Sequence, residues 1–166
     1  GLEGGSKDNA IPRSCTATLV AMGMEIERIN DVAEALQAKV RSEYNEPDAV
    51  VYADNVEALG GNALSTKETD KIIGLLCGAP NGIQAMCADM PGLVQTSLNL
   101  GVAKLEKEAF SMTFSVRSSV NGEKTELLDR LEKLAGMYEA SYESKGHYPA
   151  WEYNADSVLR DVMVNE

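Results

Sequence analysis

One arginine sits in unusual company. In the stretch FSMTFSVRSS, residues 110–119, Phe110, Met112, Phe114 and Val116 share one side of an extended chain. Ser111, Thr113, Ser115 and Arg117 share the other. A guanidinium among hydroxyls offers a planar fork of donors that matches a carboxylate. The same residue on a solvated sheet face would serve in a surface ion pair, and the pattern by itself leaves both open.

Other chemistry is thinly supplied. His147 is the one histidine, set in the stretch HYPAWEYN that reads as a loop, whereas zinc catalysis calls for three or more converging His, Cys, Asp or Glu ligands. Cys15, Cys77 and Cys87 cannot all pair within the chain, and none stands in a C-x-x-C spacing. They read as reduced thiols of a cytoplasmic protein, Cys77 as a buried one because it continues the apolar run IIGLLC. No phosphate-binding loop, nucleophile elbow or H-E-x-x-H motif occurs. The glycine pairs Gly4-Gly5 and Gly60-Gly61 read as turn residues.

Charge narrows the partners. The 166 residues carry 15 Lys and Arg against 26 Asp and Glu, a net charge of -11. Nucleic-acid affinity comes from neutralising phosphates with basic residues, so no nucleic-acid partner is expected. No apolar run has the length of a membrane span, so no membrane partner is expected either.

The elements that must hold Arg117 follow from periodicity. Strands are predicted over 14–21 and, less firmly patterned, over 49–56, with a short one at IQAM (Ile83–Met86). Two longer strands, 93–105 and 108–119, meet at Glu106-Lys107 and read as an antiparallel hairpin. In the first of these, Val94, Leu98, Leu100 and Val102 share a face opposite Gln95, Ser97 and Asn99. Helices are predicted over 25–44, after the capping box Ser65-Thr66-Lys67-Glu68, over 123–138 and over 156–164. The stretch YEASYESKG suggests a further strand, and Tyr148, Trp151 and Tyr153 read as packing anchors. One-sided apolar strands alternating with amphipathic helices indicate an α+β fold, a two-layer sandwich with an antiparallel sheet and helices on one face.

Five segments carry a resemblance in one order: GGSKDNAIPR (4–13), GLVQTSLNLGV (92–102), VRSS (116–119), KLAGMYEA (133–140) and YPAWEYNADS (148–157). Together they resemble the aminoacyl-histidine dipeptidases, also called peptidase D or cytosol non-specific dipeptidase, over nearly the whole chain. The resemblance implies a zinc-dependent hydrolase of unblocked dipeptides, built from a domain holding two zinc ions and a lid that carries the dimer contact. This chain resembles the lid, with the zinc ligands lying outside it and the segment from Asp156 beginning the return to the zinc domain. The histidine of the family's G-G-H-S-G segment has no counterpart, so the lid's first strand and helix are expected to be missing. The fragment itself is expected to lack a zinc site and activity.

The resemblance also implies roles. Arg117 would bind the substrate's terminal carboxylate, and Asn9 of the N-A-I-P-R segment would contact substrate near the scissile bond. Without it, Asn9 reads as a turn residue before Pro12. Arg13 is expected in a structural ion pair, and His147 as a loop residue rather than a ligand. A free-standing α+β interaction module with no enzyme attached is the alternative, since fold alone does not fix function.

Overall fold

The computed structural model describes residues 1–20, 25–54, 63–107, 109–154 and 156–164. Five strands, β1 (Leu2–Gly4), β2 (Cys15–Ala17), β3 (Gly82–Met86), β4 (Val94–Glu106) and β5 (Ala109–Ser118), form one antiparallel sheet. Four helices accompany them: α1 (Glu25–Glu43), α2 (Thr66–Gly78), α3 (Asn121–Met137) and α4 (Val158–Val164). The expected α+β class is the observed one. Among the described residues no helix is long and apolar enough to cross a membrane.

The long strand β4 organises the sheet. On one edge it pairs with β5 from Thr96↔Ser118 to Glu106↔Ala109, the predicted hairpin. On its other edge β3 takes the first part, Val94 to Leu98, and β1 the last, Ala103 to Leu105. Between them, among the described residues, that edge of β4 has no strand beside it. There the Leu100 N–H donates to Asn81 Oδ1 at 2.8 Å, so a side chain replaces the missing strand.

One face of the sheet is the core. Leu98 of β4 (3% exposed) packs with Leu127 (3%) and Leu131 (7%) of α3, and Phe114, Val116 and Tyr142 close around them. The alternation of β5 is thereby met: Phe114 and Val116 point to the helix, Arg117 away from it. Glu123 in the first turn of α3 locks helix to sheet, accepting from Gln95 Nε2 at 2.6 Å and from the hydroxyl of the buried Thr96. In α2, the predicted capping box forms as read, with Ser65 Oγ accepting from the Glu68 N–H and Glu68 Oε2 from the Ser65 N–H. Gly74 of α2 lies flush against the Tyr138 ring, where a Cβ would collide.

Several expectations are corrected. The register of β4 and β5 shifts between Leu100↔Phe114 and Val102↔Thr113, which makes Gly101 an extra residue, a bulge. Val102 therefore pairs with a polar-face residue, and Ala103 and Leu105 take the apolar side instead, opposite Met112 and Phe110. Gln95, expected on the polar face, turns its amide to Glu123 at the strand end. The strand predicted over 14–21 is only Cys15–Ala17, its one strand partner being the three-residue β1. Residues 49–54 form no strand, and 140–154 have no regular structure although Tyr142 packs on the core. Ala21, Asn55, Val56, Gly60, Gly61 and Glu108, which the predictions included, lie outside the described residues.

The chain divides into two compact units, residues 1–17 with 65–166, and Thr18–Leu64. The first holds the sheet with α2, α3 and α4. The second holds α1, to which the following segment is tied by Gln37 Oε1 accepting from the Val51 N–H at 3.0 Å and by Arg41 Nε donating to the Ala49 carbonyl at 2.8 Å.

Candidate functional site

The face of β4 and β5 opposite α3 carries the sequence-predicted residues. Gly101 has no side chain to keep the backbone away, and residues 5–8 run across it: a Cβ on Gly101 would overlap the Asp8 main chain. Gly5, at φ 73°, turns the chain toward Gly101, whose carbonyl a Cβ at Gly5 would strike. The bulge and the two glycines thus seat the Asp8–Arg13 segment on the sheet.

Asn99 fixes that segment. Its Nδ2 donates to the Ala10 carbonyl at 2.8 Å and to the Asp8 carbonyl at 3.3 Å, the carbonyls on either side of Asn9. The Asn9 N–H donates to Asp8 Oδ1 at 2.9 Å, and the Ala10 N–H closes a turn on the Lys7 carbonyl at 3.3 Å. The Asn9 side chain is exposed and, among the described residues, no hydrogen bond uses its amide. A neutral amide presented this way can donate to an oxygen that gains negative charge.

Arg117 pairs with Ser97, and Ser115 with Asn99, so Arg117 lies one pleat from the Asn99 anchor, roughly 7 Å along the strand. It is exposed, and among the described residues no carboxylate pairs with it. Arg117, Ser97 and Val94 line an open groove of about 490 Å³ together with Tyr148, Pro149 and Trp151. That aromatic loop is held to α3 by three hydrogen bonds. Lys124 Nζ donates to the Tyr148 carbonyl at 2.5 Å, the Ala150 N–H to Asn121 Oδ1 at 3.1 Å, and the Asn121 N–H to Glu152 Oε1 at 3.4 Å.

The remaining candidates fall away from this face or change role. Arg13, expected in an ion pair, is exposed and has none among the described residues. His147 is exposed, with Nε2 3.0 Å from Ser144 Oγ. Cys77, expected buried, is exposed as is Cys15, while Cys87 is buried, and all three are free. Tyr148 and Trp151 are not packing anchors: they are 58% and 91% exposed, and backbone hydrogen bonds rather than ring burial hold their loop. Asn99 and Gly101 were missed as positioning residues. A glycine inside a strand is itself a signal for a bulge or a close backbone approach, and Gly101 is both.

Among the described residues no three His, Cys, Asp or Glu side chains lie close enough to hold a metal ion. The described residues thus offer no site for the zinc pair, whose ligands the resemblance places outside this chain.

The chain that carries this sheet and surface is similar in sequence and in fold to part of two dipeptidases. The chain is 33% identical over 165 residues to the cytosol non-specific dipeptidase of Escherichia coli (strain K12), a match covering 96% of this chain and 33% of that protein. Its fold matches the crystal structure of aminoacylhistidine dipeptidase from Vibrio alginolyticus with a TM-score of 0.89 and 27% identity, over 99% of this chain and 34% of that one. The chain thus spans about a third of the length of each, at 33% and 34%. No protein-family model matches it.

Proposed function

We propose that this chain is the lid of a cytoplasmic, zinc-dependent dipeptidase, the part that recognises an unblocked dipeptide and carries the dimer contact. In this reading two zinc ions are held by a separate part of the same protein, toward which the segment from Asp156 leads. Arg117 takes the terminal carboxylate of the dipeptide in its guanidinium fork. Asn9 donates its amide near the scissile carbonyl, where negative charge builds as the bond is attacked. Asn99 acts through Asn9, as a positioning residue.

The observation that carries the reading is Arg117: an exposed guanidinium with no carboxylate partner among the described residues of a chain whose net charge is -11. The names of the two relatives agree with a dipeptide as the carboxylate's source. For the dimer, the support is that among the described strands β5 pairs with β4 alone, which leaves a ten-residue outer edge open.

The test is Arg117→Ala in the intact dipeptidase carrying this segment. A charge-assisted hydrogen bond contributes about 1.5 to 3 kcal/mol, so kcat/KM on a dipeptide should fall roughly ten- to a hundredfold. Arg117→Lys should recover part of the loss, because an ammonium keeps the charge without the fork. Full activity in Arg117→Ala would end the proposal.

A further inference from the structure

The Asn81 side chain reaches β4 one residue before the Gly101 bulge. On the edge of β4 between β3 and β1, its Oδ1 accepts from the Leu100 N–H at 2.8 Å. A side-chain amide carbonyl is chemically the peptide carbonyl that a neighbouring strand would have offered there. Asn81 is itself held from both sides. Before it, the Ala79 N–H closes the end of α2 by donating to the Leu75 carbonyl at 3.0 Å. After it, Gly82, at φ 80°, starts β3 opposite Leu98, and Gln84 Nε2 donates back to the Asn81 carbonyl at 3.2 Å. The next residue of β4, Gly101, is the floor of the Asn9 segment. The Asp8 main chain lies where a Cβ on Gly101 would stand, and Gly5 lies against the Gly101 carbonyl. Two backbones in such close contact move together.

We propose that Asn81 is a positioning residue for the Asn9 amide, acting by fixing the Leu100–Gly101 backbone on which the Asp8–Arg13 segment rests. The proposal rests on the reading that Asn9 donates near the scissile carbonyl. Asn99 holds the segment by its carbonyls; Asn81 holds the strand beneath it. Without Asn81 the Leu100 N–H turns to water, and the bulge is free to shift with the segment it carries. A small displacement of a group that stabilises developing charge lowers kcat. It leaves substrate affinity nearly untouched, because Arg117 grips the carboxylate separately. Asn81 thereby ties the connection between α2 and β3 to the rate of the reaction.

Backbone amide resonances of the chain give the first readout. Asn81→Ala should move those of Leu100 and Gly101 and, with them, those of Asp8, Asn9 and Ala10, while Leu127 and Leu131 of α3 stay in place. Asn81→Asp keeps an oxygen for the Leu100 N–H and should leave the Asp8–Ala10 resonances near their original positions. In the full-length dipeptidase to which the proposed function assigns this segment, Asn81→Ala should lower kcat roughly three- to tenfold, the worth of one neutral hydrogen bond, with KM within about twofold. Asn81→Asp should recover most of that loss. In an Asn9→Ala background, Asn81→Ala should lower kcat no further. Should Asn81→Ala not fold, Asn81→Ser, whose hydroxyl stops one bond short, replaces it in both readouts. Unmoved Asp8–Ala10 resonances overturn the Asn81 proposal, as does an unchanged kcat in Asn81→Ala where Asn9→Ala lowers it; the Asn9 reading then stands. Losses from Asn81→Ala and Asn9→Ala that simply add also overturn it, since Asn81 would then act elsewhere. Full kcat in Asn9→Ala contradicts the Asn9 reading and this one with it.

Discussion

The two faces of the β4–β5 ribbon are built from alternate residues of the same strands, yet they are finished differently. On one, Leu98, Phe114 and Val116 meet Leu127 and Leu131, and Glu123 satisfies Thr96 and Gln95. On the other, Asn99 and Gly101 hold a loop, while Arg117 and the Asn9 amide have no partner among the described residues. The first face is closed because its groups stabilise one another. The second is fixed in its backbone but open in its side chains, which is the condition for binding something else without reorganising.

The contrast should break most sharply at Leu127. Leu127→Ala opens a cavity between α3 and the sheet and should cost about 2 to 5 kcal/mol in denaturant unfolding. Arg117→Ala, on the other face, should shift stability by no more than about 0.5 kcal/mol. A comparable loss for both would mean that Arg117 has a structural role.

Gly101 lies between the faces. Gly101→Ala pushes a methyl into the Asp8 backbone and should destabilise by about 1 to 3 kcal/mol while dislodging the Asn9 segment. Asn99→Ala should have a smaller effect on folding, about 1 kcal/mol, because its two hydrogen bonds are exposed. Its larger effect should be on kcat rather than KM, since Asn9 then wanders from the reacting carbonyl. An unchanged kcat would show that Asn99 does not position Asn9.

The smallest effect is a pH dependence away from both faces. Hydrogen bonds with the Ser65 side chain, and then with its backbone, hold the Glu68 carboxyl below its ordinary 4.5. Likewise a hydrogen bond from Lys71, joined by that ammonium's charge, lowers Glu139, so α2 carries one depressed acid, Glu68, and the partner, Lys71, of another. A carboxyl depressed by folding stabilises fully above 4.5 and loses that contribution as pH falls through its folded value. Amide exchange at the start of α2 should therefore speed up below about pH 4.5, before the β4–β5 amides respond. Simultaneous loss of protection in both would contradict a local effect.

Much of the core face was legible in the sequence because its causes are local. The alternation of residues 110–117 assigned Phe114, Val116 and Arg117 to their sides, and the Ser65–Glu68 spacing gave the start of α2. The open face depends on contacts between distant segments, and there reading by periodicity failed. Nothing near Asn99 in sequence says that it reaches Asp8 and Ala10, 91 and 89 residues away. Trp151 looked like an anchor because aromatic residues usually pack. Its exposure follows from Asn121 and Lys124 holding the loop by its backbone, a tertiary fact. Three-residue strands such as β1 are too short to show a period at all.

The central claim is that Arg117 recognises a free carboxylate, and acid-versus-amide selectivity measures that directly. In the full-length dipeptidase to which the proposed function assigns this segment, kcat/KM is compared for one dipeptide and its C-terminal amide, in the unaltered protein and in Arg117→Ala. The account predicts that the acid is strongly preferred at first, and that Arg117→Ala lowers hydrolysis of the acid roughly ten- to a hundredfold while leaving the amide nearly unchanged, so the preference collapses. If Arg117→Ala lost activity equally on acid and amide, Arg117 would not be the carboxylate clamp, and the open face would need another ligand.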